Sequence, residues 1–211
     1  VVIGMGPFGL ATRVLAGRFG SMWTYAGSDG EVGQVSAATL LNEYRFRSLT
    51  DATEIYGLVG LPVSHSVSPA MHNATFAATR LDGVYLPLPA VSADDFVTFG
   101  RALGVKGASV TIPHKIALFE RVDEVDAVAR RIGAINTIRV IDDRWVGGNT
   151  DVEGFLNPLV NRVVLKGLTA SILGSGGAAR AVAVALSSSG CHVRIHARNR
   201  QHGEEVGFVT S

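Results

Sequence analysis

From Ile55 onward, short apolar runs alternate with longer amphipathic stretches, and that alternation limits the fold more than any other feature of this 211-residue chain. The runs "IYGLVG" (55–60), "VYLPLP" (84–89) and "GASVTI" (107–112) read as strands, with helices from Pro69 and over 93–103 between them. A helix over "ALFERVDEVDAVARRI" (117–132) is expected next. A hairpin through "NTIRVIDDRWVGGNTD" (136–151) and a bridging helix over "DVEGFLNPLVNRV" (151–163) follow it. A second layer starts at "LTASILGSGG" (168–177). Strands alternating with helices bury their apolar sides in α/β layers, and that is the fold class expected. Hydrophobic residues make up 47% of the chain, enough for such a core. The net charge of +1 creates no field suited to nucleic acid or an anionic membrane, so the expected partner is a small molecule. No apolar run reaches the roughly 18–20 residues of a membrane span. The one cysteine, Cys191, leaves no disulfide framework and suits a reducing, cytoplasmic compartment.

The first 46 residues read as strand "VVIGMG" (1–6), helix 10–16, strand "SMWTYA" (21–26), a glycine-rich loop through Gln34, and helix "VSAATLLNEYRF" (35–46). Such a βαβα run cannot close a sheet around a core by itself. The polar stretch "RSLTDATE" (47–54) has no periodic apolar face and reads as a linker. A start inside an apolar strand, without an initiator methionine, predicts a piece of a longer chain.

Residues 174–179, Gly174-Ser175-Gly176-Gly177-Ala178-Ala179, follow an apolar strand and open a helix. Small residues there let the backbone approach a pyrophosphate, and the free N–H groups and dipole of the helix start favour an anion. The same pattern also serves a tight strand-to-helix turn that holds nothing. The next strand, "HVRIHAR", ends in Arg198, with Arg200 beyond it and no carboxylate before Glu204. An NAD site carries an acid about 20 residues past its glycines to bind the ribose 2′-hydroxyl. A guanidinium fork suits a 2′-phosphate instead, so NADP is the expected cofactor. No metal is expected.

Lys115 lies just beyond a strand end in "VTIPHK", after Pro113, and Asp151 lies between the hairpin and the bridging helix. Ligands of open α/β sheets gather outside the carboxyl ends of strands. A lysine held there by a carboxylate can move a proton to or from an alkoxide left by hydride transfer. Read by spacing alone, a surface lysine and a capping aspartate fit better. In "SHSVSPAMHN" (64–73), Ser68 is expected as an N-cap with Pro69 at the first helical position. Ser66 is spare, so both hydroxyls and the helix N–H groups can take a carboxylate.

Taken in order, these stretches resemble shikimate dehydrogenase from about Ile55 to the end of the chain. "YGLVGLPVSHSVSPAMHN" resembles its first strand and carboxylate-binding turn, which implies that Ser66 and Ser68 bind substrate. "GASVTIPHK" resembles the segment with a substrate-binding threonine, here Thr111, and the catalytic lysine, here Lys115. "GAINTI" resembles the segment with the family's asparagine, here Asn136, and "GGNTDVEGF" that with its aspartate, here Asp151. "ILGSGGAARA" resembles the family's NADP loop, which implies cofactor binding by Gly174, Ser175, Gly176, Gly177, Ala178 and Arg198. The family's basic motif is usually NRT followed by a second arginine. Ala197, Arg198 and Asn199 stand in its place here, with His202 near the second arginine's position.

The first 46 residues resemble the C-terminal end of type I 3-dehydroquinate dehydratase. "TRVLAGRFGSMWTYA" implies a substrate-binding arginine at Arg13, and "VGQ" a glutamine at Gln34. The family's Schiff-base lysine and histidine would lie upstream of Val1. The two resemblances together imply a bifunctional enzyme of aromatic amino acid biosynthesis that reduces 3-dehydroshikimate with NADPH. The implied layout is the last βα units of a TIM barrel (1–46), a linker (47–54), a substrate-binding domain (55–150), then a bridging helix and the start of a Rossmann NADP domain (151–211). A quinate dehydrogenase or a non-catalytic quinate-sensing regulator shares much of this pattern. Lys115 and Asp151 speak against the second.

Overall fold

The computed structural model describes residues 2–28 and 33–208, and their contacts divide the chain into two compact units, Val1–Thr111 and Ile112–Ser211. The α/β layering expected from the alternation is present in both.

In the first unit, β1 (Glu54–Gly60) lies between β2 (Gly83–Pro89) and β3 (Val105–Val110), parallel to both. Parallel strands are covered on both faces and so are apolar throughout, and six of the seven residues of β2 are buried. The crossovers are α3 (Ser68–Thr79) and α4 (Ala93–Leu103). At the start of α4, Ser92 Oγ accepts from Asp95 N at 3.1 Å and the Asp95 carboxylate accepts from Val91 N at 3.1 Å. Gly104, with φ 73°, ends that helix in the left-handed region that favours glycine. The outer strand β2 is secured by α3. Asn73, 2% exposed, donates to Tyr85 O at 2.9 Å and accepts from Tyr85 N at 2.8 Å. Asn73→Ala leaves two buried main-chain groups without these partners, and a loss of about 2–4 kcal/mol is expected by urea titration.

Ahead of β1 the helices form but the expected strands do not. The chain has α1 (Leu10–Val14) and α2 (Ala37–Asn42), whereas the described residues of 1–6 and all of 21–26 carry no strand pairing. A strand is held by a neighbour's ladder, and neither run has one among the described residues. Gly4 N donates instead to Thr12 Oγ1 at 2.7 Å, and Gly27 N to Val35 O at 2.9 Å. Val1 and residues 29–32 lie outside the described residues. The helix expected over 35–46 is shorter, because Ser36 Oγ accepts from Thr39 N at 3.1 Å and starts it late. Arg45, at φ 51°, stands beyond its end. The stretch 47–53 is held rather than loose. Arg18 donates to the carbonyls of Asp51, at 2.9 Å, and Thr53, while Arg45 donates to Gly83 O at 2.6 Å.

In the second unit, β5 (Thr137–Ile141) and β6 (Arg144–Gly148) form an antiparallel hairpin around Asp142 and Asp143, both at positive φ, as a two-residue hairpin turn requires. The single helix expected over 117–132 is broken. A 3-10 turn (Ala117–Glu120) precedes β4 (Glu124–Val125), parallel to β6, and then α5 (Ala127–Ile132). Two aspartates cause the break: Asp123 accepts from Trp145 N at 2.6 Å, and Asp126 caps α5 by accepting from Ala129 N at 2.7 Å. The bridging helix α6 (Asp151–Leu156) is also shorter than expected and gives way to a 3-10 turn at Asn157–Leu159, where Pro158 has no N–H to continue it. Next come β7 (Thr169–Leu173), α7 (Gly177–Ser188), β8 (His192–His196), parallel to β7, and α8 (Arg200–Phe208). Ala183 and Leu186 of α7 pack with Ile172 and Val206, while Ala181 and Val184 pack with Ile132, Ala134, Ile116 and Val152. Among the described residues no helix is long and apolar enough to cross a membrane.

Candidate active site

The second unit assembles three of the residues singled out in the sequence, and the β5–β6 hairpin does the assembling. Asn136 stands just before β5 and Asn149-Thr150-Asp151 just after β6, so the hairpin register brings them side by side, with Asn136 N bonded to Gly148 O at 2.9 Å. Lys115 is fixed alongside by Ile135 N, which donates to its carbonyl at 2.9 Å. Lys115 Nζ then donates to Asp151 Oδ2 at 2.6 Å, and Asn136 Nδ2 donates to Asp151 Oδ1 at 2.8 Å. Both carboxylate oxygens are therefore engaged. The side chains of Lys115 and Asp151 are 18% and 29% exposed, so the pair is shielded yet open on one side. A buried-edge ammonium with an oriented carboxylate can give up or take a proton without diffusing from its partner.

Two further residues complete this network. Asn149, 6% exposed, donates to Ala134 O at 2.9 Å and accepts from Asp151 N at 2.9 Å, which sets the first turn of α6. Thr150 Oγ1 accepts from Asn136 Nδ2 at 2.9 Å, and Thr150 N donates to Asn136 Oδ1 at 3.0 Å. Neither residue was singled out in the sequence. The available signal was the run of short polar side chains between a hairpin and a helix, where Asn and Thr bond readily to nearby backbone.

The first unit holds Ser66, Ser68 and Thr111. Ser68 is the first residue of α3 rather than its N-cap, and Val67 occupies the cap with no side-chain bond. The reason is that Ser66 does the local bonding: its Oγ accepts from Ser68 N at 3.2 Å and donates to Ser68 Oγ at 3.1 Å. The two hydroxyls thus sit together at the start of a twelve-residue helix, where free N–H groups favour an anion. Thr111 follows β3 and donates its N–H to Val59 O at 2.9 Å.

At the nucleotide-type loop, each glycine has its own reason. Gly174 has φ 132°, a conformation that side-chain-bearing residues rarely adopt. Gly176 caps α7, and a methyl group there would meet nothing within 4 Å, leaving the backbone open to a ligand. Gly177 is the first residue of α7, and Ala178 follows it, exposed. A cleft of about 540 Å³ is lined by Leu173, Gly174, Ser175, Gly176, His196, Arg198, Asn199 and His202. Asn199 Oδ1 accepts from Gln201 N at 2.9 Å and so caps α8. Among the described residues no carboxylate lines the cleft, and Arg198 is exposed at its rim. The donor set and the open backbone at Gly176 fit a phosphate-bearing dinucleotide. The side chain of Arg200 lies outside the described residues. Among the described residues, no group of three or more His, Cys, Asp or Glu could hold a metal ion.

Near the N-terminus, Arg13 is buried and donates to the carbonyls of Gly33 at 2.8 Å and Tyr25 at 3.3 Å. Those bonds place it next to the segment that carries Gln34, whose side chain lies over Gly27.

Known proteins share both parts of this architecture. Residues 58–138 match the family model of the shikimate dehydrogenase substrate binding domain, and residues 1–51 that of type I 3-dehydroquinase. A shikimate dehydrogenase (NADP(+)) from Nostoc is 43% identical over 163 residues, covering 74% of this chain and 56% of that protein. A chloroplastic bifunctional 3-dehydroquinate dehydratase/shikimate dehydrogenase from Arabidopsis thaliana is 35% identical over 225 residues, covering 96% of this chain and 37% of the relative. The crystal structure of shikimate 5-dehydrogenase from Thermus thermophilus, in complex with NADP(H) and shikimate, superimposes with a TM-score of 0.65 at 34% identity. That match covers 74% of this chain and 60% of the other. The chain spans about half the length of the shikimate dehydrogenases it matches.

Proposed function

We propose that the protein reduces 3-dehydroshikimate to shikimate with NADPH, because residues 58–138 match the shikimate dehydrogenase substrate binding domain and residues 1–51 match type I 3-dehydroquinase. We propose further that the same protein dehydrates 3-dehydroquinate, so that two consecutive steps toward the aromatic amino acids share one polypeptide. The observation that carries the dehydrogenase reading is the Lys115–Asp151 contact at 2.6 Å, with Asn136 on the second carboxylate oxygen.

Bound NADPH supplies the hydride for the ring ketone. The chain's own part is the proton and the orientation. As the carbonyl carbon accepts the hydride, negative charge grows on its oxygen, and Lys115 Nζ donates a proton to it. The lysine is left neutral and regains its proton from solvent. Asp151 holds Nζ on one side, and with Asn136 it takes ring hydroxyls of the substrate. Thr111 fixes the ring, and Ser66 and Ser68 take the substrate carboxylate with the N–H groups at the start of α3. In the nucleotide cleft, Gly174, Ser175, Gly176 and Ala178 admit the pyrophosphate, and Arg198 pairs with the 2′-phosphate. In the dehydratase domain, Arg13 and Gln34 contact substrate. The lone free thiol of Cys191 suits a reducing compartment, and we place the protein in the cytoplasm.

Steady-state rates with shikimate and quinate, each with NADP+ and NAD+, test this reading in the full-length protein. Shikimate with NADP+ is expected to give the highest kcat/KM, and Arg198→Ala is expected to raise the KM for NADP+ about tenfold or more while leaving that for NAD+ little changed. Preference for quinate would replace the substrate, and an unchanged NADP+ preference in the variant would remove Arg198 from the cofactor site.

A further inference from the structure

A side chain on the glycine that opens α7 would meet the lysine of the candidate active site first. A methyl group on Gly177 would stand 2.8 Å from Lys115 Cβ, 3.2 Å from Lys115 Cδ and 3.4 Å from Ala134 Cβ. The backbone at Gly177 lies outside the left-handed region, so glycine is needed there for room and not for conformation. The crowded atom is Lys115 Cβ, at the near end of the side chain, which cannot swing aside as a lysine tip can. Its main chain is held by Ile135 N and its Nζ by Asp151. The helix start is also held: Ala181 and Val184 are packed with Ala134, with Ile116 next to Lys115, and with Val152 next to Asp151.

From this contact we propose that Gly177 is a positioning residue for Lys115. The last glycine of the nucleotide loop gives up its side chain so that the lysine stem can lie against α7. It sets where the ammonium stands, while Gly174 and Gly176 serve the cofactor side of the loop. The inference rests on the reading of Lys115 as the proton donor. An added methyl displaces the lysine rather than the helix, because α7 is anchored in two apolar clusters whereas the lysine side chain is partly exposed. A displacement of a reacting group by about 1 Å is enough to slow a reaction about a hundredfold.

The test is Gly177→Ala in the full-length protein, read by kcat and by NADPH Kd from nucleotide fluorescence. The expected result is a kcat lower by about ten- to a hundredfold with the NADPH Kd within about threefold of wild type. An unchanged kcat overturns the proposal. A Kd that rises as much as kcat falls also overturns it, since that result belongs to a cofactor-loop residue. Should the variant be too unstable to assay, melting temperature reads the same contact. The loss caused by Gly177→Ala is expected to vanish in a Lys115→Gly background, and an equal loss in both backgrounds overturns the proposal. Normal turnover in Lys115→Ala would instead remove the underlying reading and leave the packing contact intact.

Discussion

Lys115→Ala is expected to lower turnover of 3-dehydroshikimate by at least about a hundredfold while leaving the NADPH Kd within about twofold. The size follows from what the side chain supplies. A hydride added to a ketone leaves an alkoxide, and without a positioned acid the proton must come from water, at a barrier several kcal/mol higher. The sparing of NADPH follows from placement, because Lys115 is absent from the residues that line the nucleotide cleft. Stability is expected to change little. The pair is partly exposed, and Asp151 keeps bonds from Asn136 Nδ2 and sits at the N-terminus of α6, where a carboxylate is favoured. Near-normal turnover in this variant would remove Lys115 from the chemistry.

What could be seen in the sequence depended on whether the deciding interactions were local. The strands at 55–60 and 84–89 were legible because parallel strands covered on both faces are apolar along their whole length, and that pattern needs no knowledge of the partner. The runs 1–6 and 21–26 have similar composition, but a strand exists only where a second strand bonds to it, and pairing is not encoded in the run itself. The broken helix at 117–132 is a different failure. Its apolar period is continuous, yet Asp123 and Asp126 interrupt it by bonding to Trp145 N and Ala129 N. Asp126 followed by a short helical run was a readable cap signal, whereas the Asp123 bond spans 22 residues and was not.

Within the site, Lys115 and Asp151 were visible as polar residues at the ends of expected elements and Asn136 through the family resemblance, and the structure joins them through a hairpin that also was visible. Asn149 was not visible, because an asparagine in a turn reads as turn chemistry and only the fold shows that it bridges Ala134 O and Asp151 N. Gly177 was visible as a loop glycine, but its packing against Lys115 was not. The loop pattern relates its smallness to a phosphate, while a Cβ added there would stand 2.8 Å from Cβ of a lysine distant in sequence, a contact that only the fold supplies.

For Asp151→Asn, kcat is expected to fall about ten- to a hundredfold and the KM for shikimate to rise, although the side chain keeps its shape. Two donors, Lys115 Nζ and Asn136 Nδ2, point at the two carboxylate oxygens. An amide has one oxygen and one NH2 group, so whichever way it turns, one donor meets another donor. If Asn136 keeps its acceptor, the ammonium loses both its hydrogen bond and its counter-charge and is free to leave the position from which it gives up a proton. If Lys115 keeps its acceptor, Asn136 is repelled and the hydroxyl-binding pair comes apart. Residues that act as a unit do not show additive losses. The double variant Lys115→Ala/Asp151→Asn is therefore expected to turn over within about threefold of Lys115→Ala alone. Losses in kcat that multiply would mean that Asp151 contributes to the proton-transfer step independently of Lys115, and the hydrogen bond between them would then be a structural contact.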